Sequence, residues 1–343
     1  VCDFLNALQW DGTERIRFCL HRFLGSDTDD YTYEALKLFL LGAISRAFKP
    51  GCKFEVMLCL VGGQGAGKSS FFRLLAVNDD WFSDDLKKLD DENVYRKMQG
   101  HWIIEMSEMI ATANAKSIEE IKSFLSRQKE TYKIPYETHP ADRKRQCVFG
   151  GSSNTLDFLP LDRTGNRRFV PVMVYPERAE VHILADEQAS REYINQMWAE
   201  AMEIYRSGNF RLRFSPAMND YLKAHQKDFM PEDTKAGQIL DYLERYSGSM
   251  VCSKQLYKEA LGHDYDEPKQ WELREINDIM NNAVTGWRAF SNPRYFPEPY
   301  RRQKGWERIR NDNEPDNSMD GFQEIPTEEM EQLGLPEEWL KQK

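Results

Sequence analysis

Long apolar runs, a secretory leader and paired metal-binding cysteines are all missing from this 343-residue sequence. No apolar stretch approaches the ~18 residues that a membrane span requires. The best of them, 56–62, has the length of a single buried strand. Asp3 stands inside what would be the apolar region of a leader, so no signal peptide is read. An initiator methionine is lacking too, and we expect a piece of a longer polypeptide or a processed chain, with a domain upstream. The six cysteines, Cys2, Cys19, Cys52, Cys59, Cys147 and Cys252, include no C-x-x-C pair. Cys19 and His21 find no second ligand pair, so no zinc pattern forms. His225 and His263 likewise stand without partners at metal spacing. This cysteine usage suits a reducing, cytosolic compartment. No internal repeat occurs.

What the chain does contain is a globular composition, 41% hydrophobic and 30% charged, which excludes a disordered protein. At roughly 150 residues per domain, the length implies two domains or three. The net charge of −10 is unevenly placed. Residues 311–343 hold ten acids and two lysines, leaving the rest of the chain near neutrality at −2. Two stretches of that body are basic: 127–145, with six bases against three acids, and 294–310, with six against two. The acidic total therefore does not exclude nucleic acid as a partner.

Hydrophobic spacing predicts a helix over 33–48, stopped by Lys49-Pro50-Gly51. Apolar strands are expected at 56–61, 102–106, 147–151 and 168–174. Helices are expected at 69–76, 118–125 and 186–206. Strands alternating with helices point to a mainly parallel α/β core over about 50–210. Beyond it, three short helices at 237–246, 253–261 and 271–283 precede two strand-like segments, 289–290 and 306–309. This is the pattern of a winged-helix module with a basic wing. We therefore expect an N-terminal helical region for oligomerisation (1–50), an ATPase domain (51–210), a winged-helix-like module (211–310) and an acidic, largely disordered tail (311–343).

Gly62-Gly63-Gln64-Gly65-Ala66-Gly67-Lys68-Ser69 is G-x-x-x-x-G-K-S, between a buried strand and a helix. Glycines let backbone N–H groups wrap an anion, and the helix behind, with Ser70 in its first turn, presents its positive end. Lys68 then reaches the outer phosphates of ATP, and Ser69 gives its hydroxyl to Mg²⁺. A Gly-rich turn without a ligand is the bland alternative. A metal-binding acid must follow on a strand end, and Trp102-Ile103-Ile104-Glu105-Met106-Ser107-Glu108 has that form. In a regular strand Glu105 and Glu108 face opposite sides, so both serve only if the strand ends near Met106. The bland alternative for either one is a solvated strand-end charge. Asn154, closing the next strand, is placed to hold an attacking water or is simply a turn former. Arg167 and Arg168 are either a trans-acting arginine finger or a surface charge pair.

Together GGQGAGKSSFFRLLA, WIIEMSEM, IKSFLSRQKETYKIPY, RQCVFGGSSN and DRTGNRRFVPV resemble the virulence-associated E family, in that order along the chain. These are phage and prophage ATPases similar to superfamily 3 helicases of the AAA+ class. The likeness covers roughly 1–210, starting at LQWDGTERI. It implies a P-loop ATPase using ATP and Mg²⁺. It also implies a homo-oligomeric ring, usually a hexamer, moving on single-stranded DNA in a bacterial host cell, often beside a primase. Residue by residue, it makes Lys68 and Ser69 the nucleotide loop and Glu105 with Glu108 the Walker B acids, Glu105 sharing the metal with Ser69. Asn154 becomes sensor 1, and Arg168 the arginine finger with Arg167 beside it. Residues 127–145 fall where such helicases project a DNA-gripping hairpin. They offer Lys133, Tyr136, His139, Arg143, Lys144 and Arg145, bases beside aromatics as strand tracking needs. The split Glu-x-x-Glu departs from adjacent Walker B acids.

The leading expectation is thus an ATP-driven DNA helicase for replication of a mobile element. A DNA-binding initiator or interference protein that uses ATP only for assembly is the first alternative. A small-molecule P-loop kinase is the second, and the basic hairpin, the paired arginines and the basic C-terminal module argue against it.

Overall fold

The computed structural model describes the chain except residues 87–88, 90–93, 109–114, 134–138, 162–165 and 310–343, and describes 115–117 by backbone alone. Two compact units meet in sequence between Asp233 and Thr234.

In the first unit, helices α1 (Cys2–Ala7), α2 (Ile16–Leu24) and α3 (Asp30–Phe48) lead into β1 (Met57–Val61) and α4 (Lys68–Leu75). Next come β2 (Phe82–Ser83), α5 (Val94–Lys97), β3 (Ile103–Ser107) and α6 (Ala115–Ser126). A hairpin of β4 (Lys129–Tyr132) and β5 (Ala141–Lys144) precedes β6 (Val148–Ser153) and β7 (Phe169–Met173). The unit closes with α7 (Glu187–Ser207) and α8 (Pro216–His225). The N-terminal helices and residues 211–233 therefore share one compact unit with the sheet.

The five strands lie in the order β2-β3-β6-β1-β7, and every pair is parallel. Period-two alternation splits β1 between two cores. Leu58 and Leu60 join Phe39, Phe72 and Trp198 on one face, whereas Met57, Cys59 and Val61 join Phe124 and Phe149 on the other. A strand buried on both faces must read as an unbroken apolar run, which is why this one was visible in sequence. The helix behind the loop is seated by Phe72, which lies against Gly150 of β6. A Cβ at Gly150 would sit 2.4 Å from Phe72 Cε1. α3 starts three residues before its expected position because Asp29 accepts the Thr32 N–H at 2.8 Å, a side-chain cap. α2 has no cap of its own. Glu200 of α7 supplies one, its Oε2 accepting the N–H groups of Arg15 at 2.6 Å and Ile16 at 2.9 Å.

The second unit opens with α9 (Thr234–Arg245), β8 (Met250–Cys252) and α10 (Ser253–Gln255), which continues as a wider turn over Leu256–Ala260. Then follow α11 (Gln270–Asn282), β9 (Trp287–Ala289), β10 (Arg294–Phe296), β11 (Arg301–Gln303) and β12 (Gly305–Arg308). The two strands expected as a wing pair antiparallel as β9 and β12, and β8 adds a third in the order β8-β12-β9, with the hairpin β10–β11 between β9 and β12 in sequence. Three-residue strands carry too little alternation to be read from sequence. Ile239, Ile276, Ile279 and Trp306 form the core of this unit. No described helix is long and apolar enough to cross a membrane.

Candidate nucleotide-binding site

β1 ends at Val61, and the chain turns through 62–67 into α4. Gly67 and Gly62 show why the turn needs glycine. Gly67 has φ +79°, left-handed backbone that side chains rarely adopt. At Gly62 a Cβ would lie 2.5 Å from the Val174 carbonyl oxygen, so only glycine allows the loop to press against the end of β7.

The register Val61↔Ser153 brings the end of β6 beside this loop, and Ser107↔Ser152 brings the end of β3 beside β6. Side chains from all three strand ends meet there. Lys68 Nζ donates to Gly62 O at 2.6 Å, Gly63 O at 2.8 Å and Asn154 Oδ1 at 2.9 Å. Burial holds the Lys68 ammonium below its usual pKa, while Glu108 and Glu105 pull it back up. Ser69 Oγ donates to Glu105 Oε1 at 2.7 Å. The other carboxylate oxygen, Glu105 Oε2, is buried and has no protein partner among the described residues.

Glu108 answers the question its spacing raised. β3 ends at Ser107, and Glu108 takes φ +52°, a left-handed conformation that turns it back toward the loop. Its N–H donates to Ser152 O at 2.9 Å, and its Oε1 accepts the Asn154 N–H at 2.8 Å. Such backbone costs a non-glycine residue about 1–2 kcal/mol and concentrates at functional sites. A cleft of about 330 Å³ results, lined by Gln64, Gly65, Ala66, Gly67, Lys68, Ser69, Ser70, Ser107, Glu108, Ser152, Asn154, His182 and Leu184. Loop N–H groups, an ammonium and a helix start are anion-binding chemistry. A hydroxyl beside a carboxylate with an unpartnered oxygen is a hard-oxygen donor set that fits Mg²⁺.

Four of the lining residues escaped the sequence reading. Ser107 and Ser152 sit on the acid strand and its neighbour, and Ser152 Oγ donates to Glu105 Oε1 at 2.6 Å. Its signal was the two-residue spacing from Asn154, which follows directly on the end of β6. His182 and Leu184 carried no local signal at all.

The other expected residues are elsewhere. Arg167 and Arg168 precede β7, whose Phe169 is level with Met57 at the start of β1. They lie at the opposite end of the strands from the loop, about 16 Å away by strand rise. There Glu55 holds Arg167 at 2.7 Å and Arg168 at 3.6 Å, and Arg168 Nε donates to Ser126 Oγ at 2.9 Å. The β4–β5 hairpin leads into the start of β6 and so belongs to that same end. Lys133, His139 and Lys144 are exposed on it, and Tyr136 lies outside the described residues. Arg143 faces inward opposite Glu130, with its guanidinium over the Tyr132 ring at 5.0 Å. Arg145 requires correction as a DNA contact. It is 3% exposed, bonded to Glu130 and to Phe124 O at 2.6 Å, and flanked by the Phe124 and Phe149 rings. Strand alternation, with the buried Glu130 carboxylate diagonally across the hairpin, fixed its direction, and charge count did not.

Among solved structures the chain is similar to the A form apo structure of the NrS-1 C-terminal region, at 14% identity and a TM-score of 0.53. That likeness covers 89% of this chain and 78% of the other, and shows a shared fold. A second apo structure of the same region gives 13% identity and a TM-score of 0.49 over equal shares. No curated protein matches. The virulence-associated protein E-like domain matches residues 5–231, two thirds of the chain and nearly all of the first unit. With the loop, acid strand and asparagine of that region gathered in one cleft, the chain belongs to the virulence-associated protein E-like family.

Proposed function

We propose that this protein is an ATPase of the AAA+ class, similar to superfamily 3 helicases, that drives DNA unwinding in replication of a phage or mobile element. One observation carries the reading: Lys68, Ser69, Glu105, Glu108 and Asn154, from three adjacent strand ends, converge on one cleft. Strand β6 lies between β1 and β3, which puts Asn154 between the phosphate loop and the acids. In the second unit, helices packed on a three-stranded antiparallel sheet support the winged-helix reading.

Ser69 and Glu105 would hold Mg²⁺, which neutralises phosphate charge when bound. The loop N–H groups and Lys68 bind the triphosphate, Lys68 exchanging the carbonyls of Gly62 and Gly63 for phosphate oxygens. Glu108, oriented by the Asn154 N–H, accepts a proton from the attacking water. Asn154 positions that water through Oδ1, or the outer phosphate through its Nδ2–H group. Arg168 lies too far from its own loop to serve it, so its target is the neighbouring subunit of a ring. Lys133 and Lys144 on the hairpin face single-stranded DNA.

ATP hydrolysis measured with and without single-stranded DNA tests this. The wild type should hydrolyse ATP faster with DNA, and Lys68→Ala should be inactive in both conditions. Near-normal turnover in Lys68→Ala removes the loop from the mechanism. A second reading, an initiator that uses ATP for assembly only, draws on exposed Tyr295 opposite Arg302 on β10–β11. Strand displacement separates the two.

A further inference from the structure

We infer that the segment after β7 holds the nucleobase of the bound nucleotide through His182 and Leu184, an inference that rests on the nucleotide-site reading. β7 pairs with β1 in register up to Val61↔Met173, and Val174 N–H donates to Val61 O at 2.8 Å. The chain leaving β7 therefore runs beside the loop that leaves β1. Ile183 anchors it. This residue is fully buried, its carbonyl accepts Ser190 Oγ at 2.8 Å, and its Cγ2 lies 3.5 Å from where a Cβ at Gly67 would be.

On either side of that anchor, His182 and Leu184 are exposed and line the cleft. Leu184 is 42% exposed, a large aliphatic side chain left outside the core beside the loop. Its N–H donates to His182 Nδ1 at 3.3 Å, which holds the ring and places the neutral imidazole proton on Nε2. Otherwise the described lining consists of glycine, alanine, serine, lysine, glutamate, glutamine and asparagine. Those groups suit phosphate, cation and water. A flat ring and a branched aliphatic side chain suit the face of a purine.

The test compares two ligands on the intact chain: ATP with Mg²⁺, and inorganic tripolyphosphate, which has the phosphates without the base. Changing both His182→Ala and Leu184→Ala should weaken ATP binding about tenfold and leave tripolyphosphate binding within twofold. His182→Phe, which keeps a stacking face, should stay within about threefold of wild type for ATP. Unchanged ATP affinity in the double variant overturns the inference alone, as does an equal loss for both ligands. A wild-type chain that binds neither ligand overturns the nucleotide-site reading and this inference with it. Both positions are exposed, so an unchanged melting temperature should accompany the binding loss, and a misfolded double variant leaves His182→Ala alone to decide by the same comparison.

Discussion

The ammonium of Lys68 donates to Oδ1 of Asn154 at 2.9 Å, although 86 residues separate them. One opens the helix behind the loop and the other follows the strand beside it. Removing Asn154 should therefore act on turnover more than on binding. Asn154→Ala is expected to keep ATP affinity within a few-fold and to slow hydrolysis by about 10²-fold or more. Parallel binding and steady-state measurements check this; equal losses in both would make Asn154 a binding residue.

The two glutamates should separate cleanly. Glu105→Gln weakens the proposed metal ligand that accepts from Ser69, so Mg²⁺-dependent ATP binding should fall. Glu108→Gln keeps an acceptor for the Asn154 N–H but loses the base. It should bind ATP normally and hydrolyse it about 10²–10⁴-fold more slowly. Titrating Mg²⁺ against each variant distinguishes them.

Arg168→Ala should retain nucleotide binding and lose hydrolysis by about 10³-fold or more. Because Arg168 sits at the far end of the strands from its own loop, mixing it with Lys68→Ala protein should restore some activity at shared interfaces. Full-rate hydrolysis by a strict monomer would rule out a trans arginine.

On the hairpin, exposure decides which bases matter. Lys133→Ala with Lys144→Ala should flatten the salt dependence of single-stranded DNA binding by roughly 1–2 units, about 0.7 for each lost phosphate contact. Basal hydrolysis should be untouched. Arg145→Ala should behave differently, because it removes the buried partner of the Glu130 carboxylate and leaves it the more exposed Arg127 at 3.5 Å. A loss of about 3–5 kcal/mol in stability is expected, read by denaturant melts, with the salt slope of any folded fraction unchanged.

Glu200 predicts a pH effect. Burial pushes its carboxyl above the usual carboxylate pKa, against the two N–H groups it caps. A raised pKa means the folded state binds the proton more tightly than the unfolded chain. This group's contribution therefore rises as pH falls, from above its folded value toward its unfolded value near 4.5. The melting difference between wild type and Glu200→Gln should shift in favour of wild type as pH drops from 7.5 to 4.5. Glu200→Ala should cost about 1–2 kcal/mol, the scale of a lost helix cap, and should cost more at pH 4.5 than at pH 7.5.

Local pattern carried the loop, the acid strand and the long helices. Gly-x-x-x-x-Gly-Lys-Ser, the unbroken apolar run of β1 and the Asp186 cap of α7 each act within a few residues, where sequence order and spatial order coincide. Tertiary structure decided what sequence distance conceals. Glu108 turns back because Asn154, 46 residues on, offers an N–H to its carboxylate. Arg145 points inward because a buried glutamate lies across the hairpin, while Lys144, one residue away, faces water. His182 and Leu184 reach the cleft only because β7 pairs with β1. Strand order is set by which apolar faces bury one another, and a pairing between segments about a hundred residues apart leaves no periodic trace in either one.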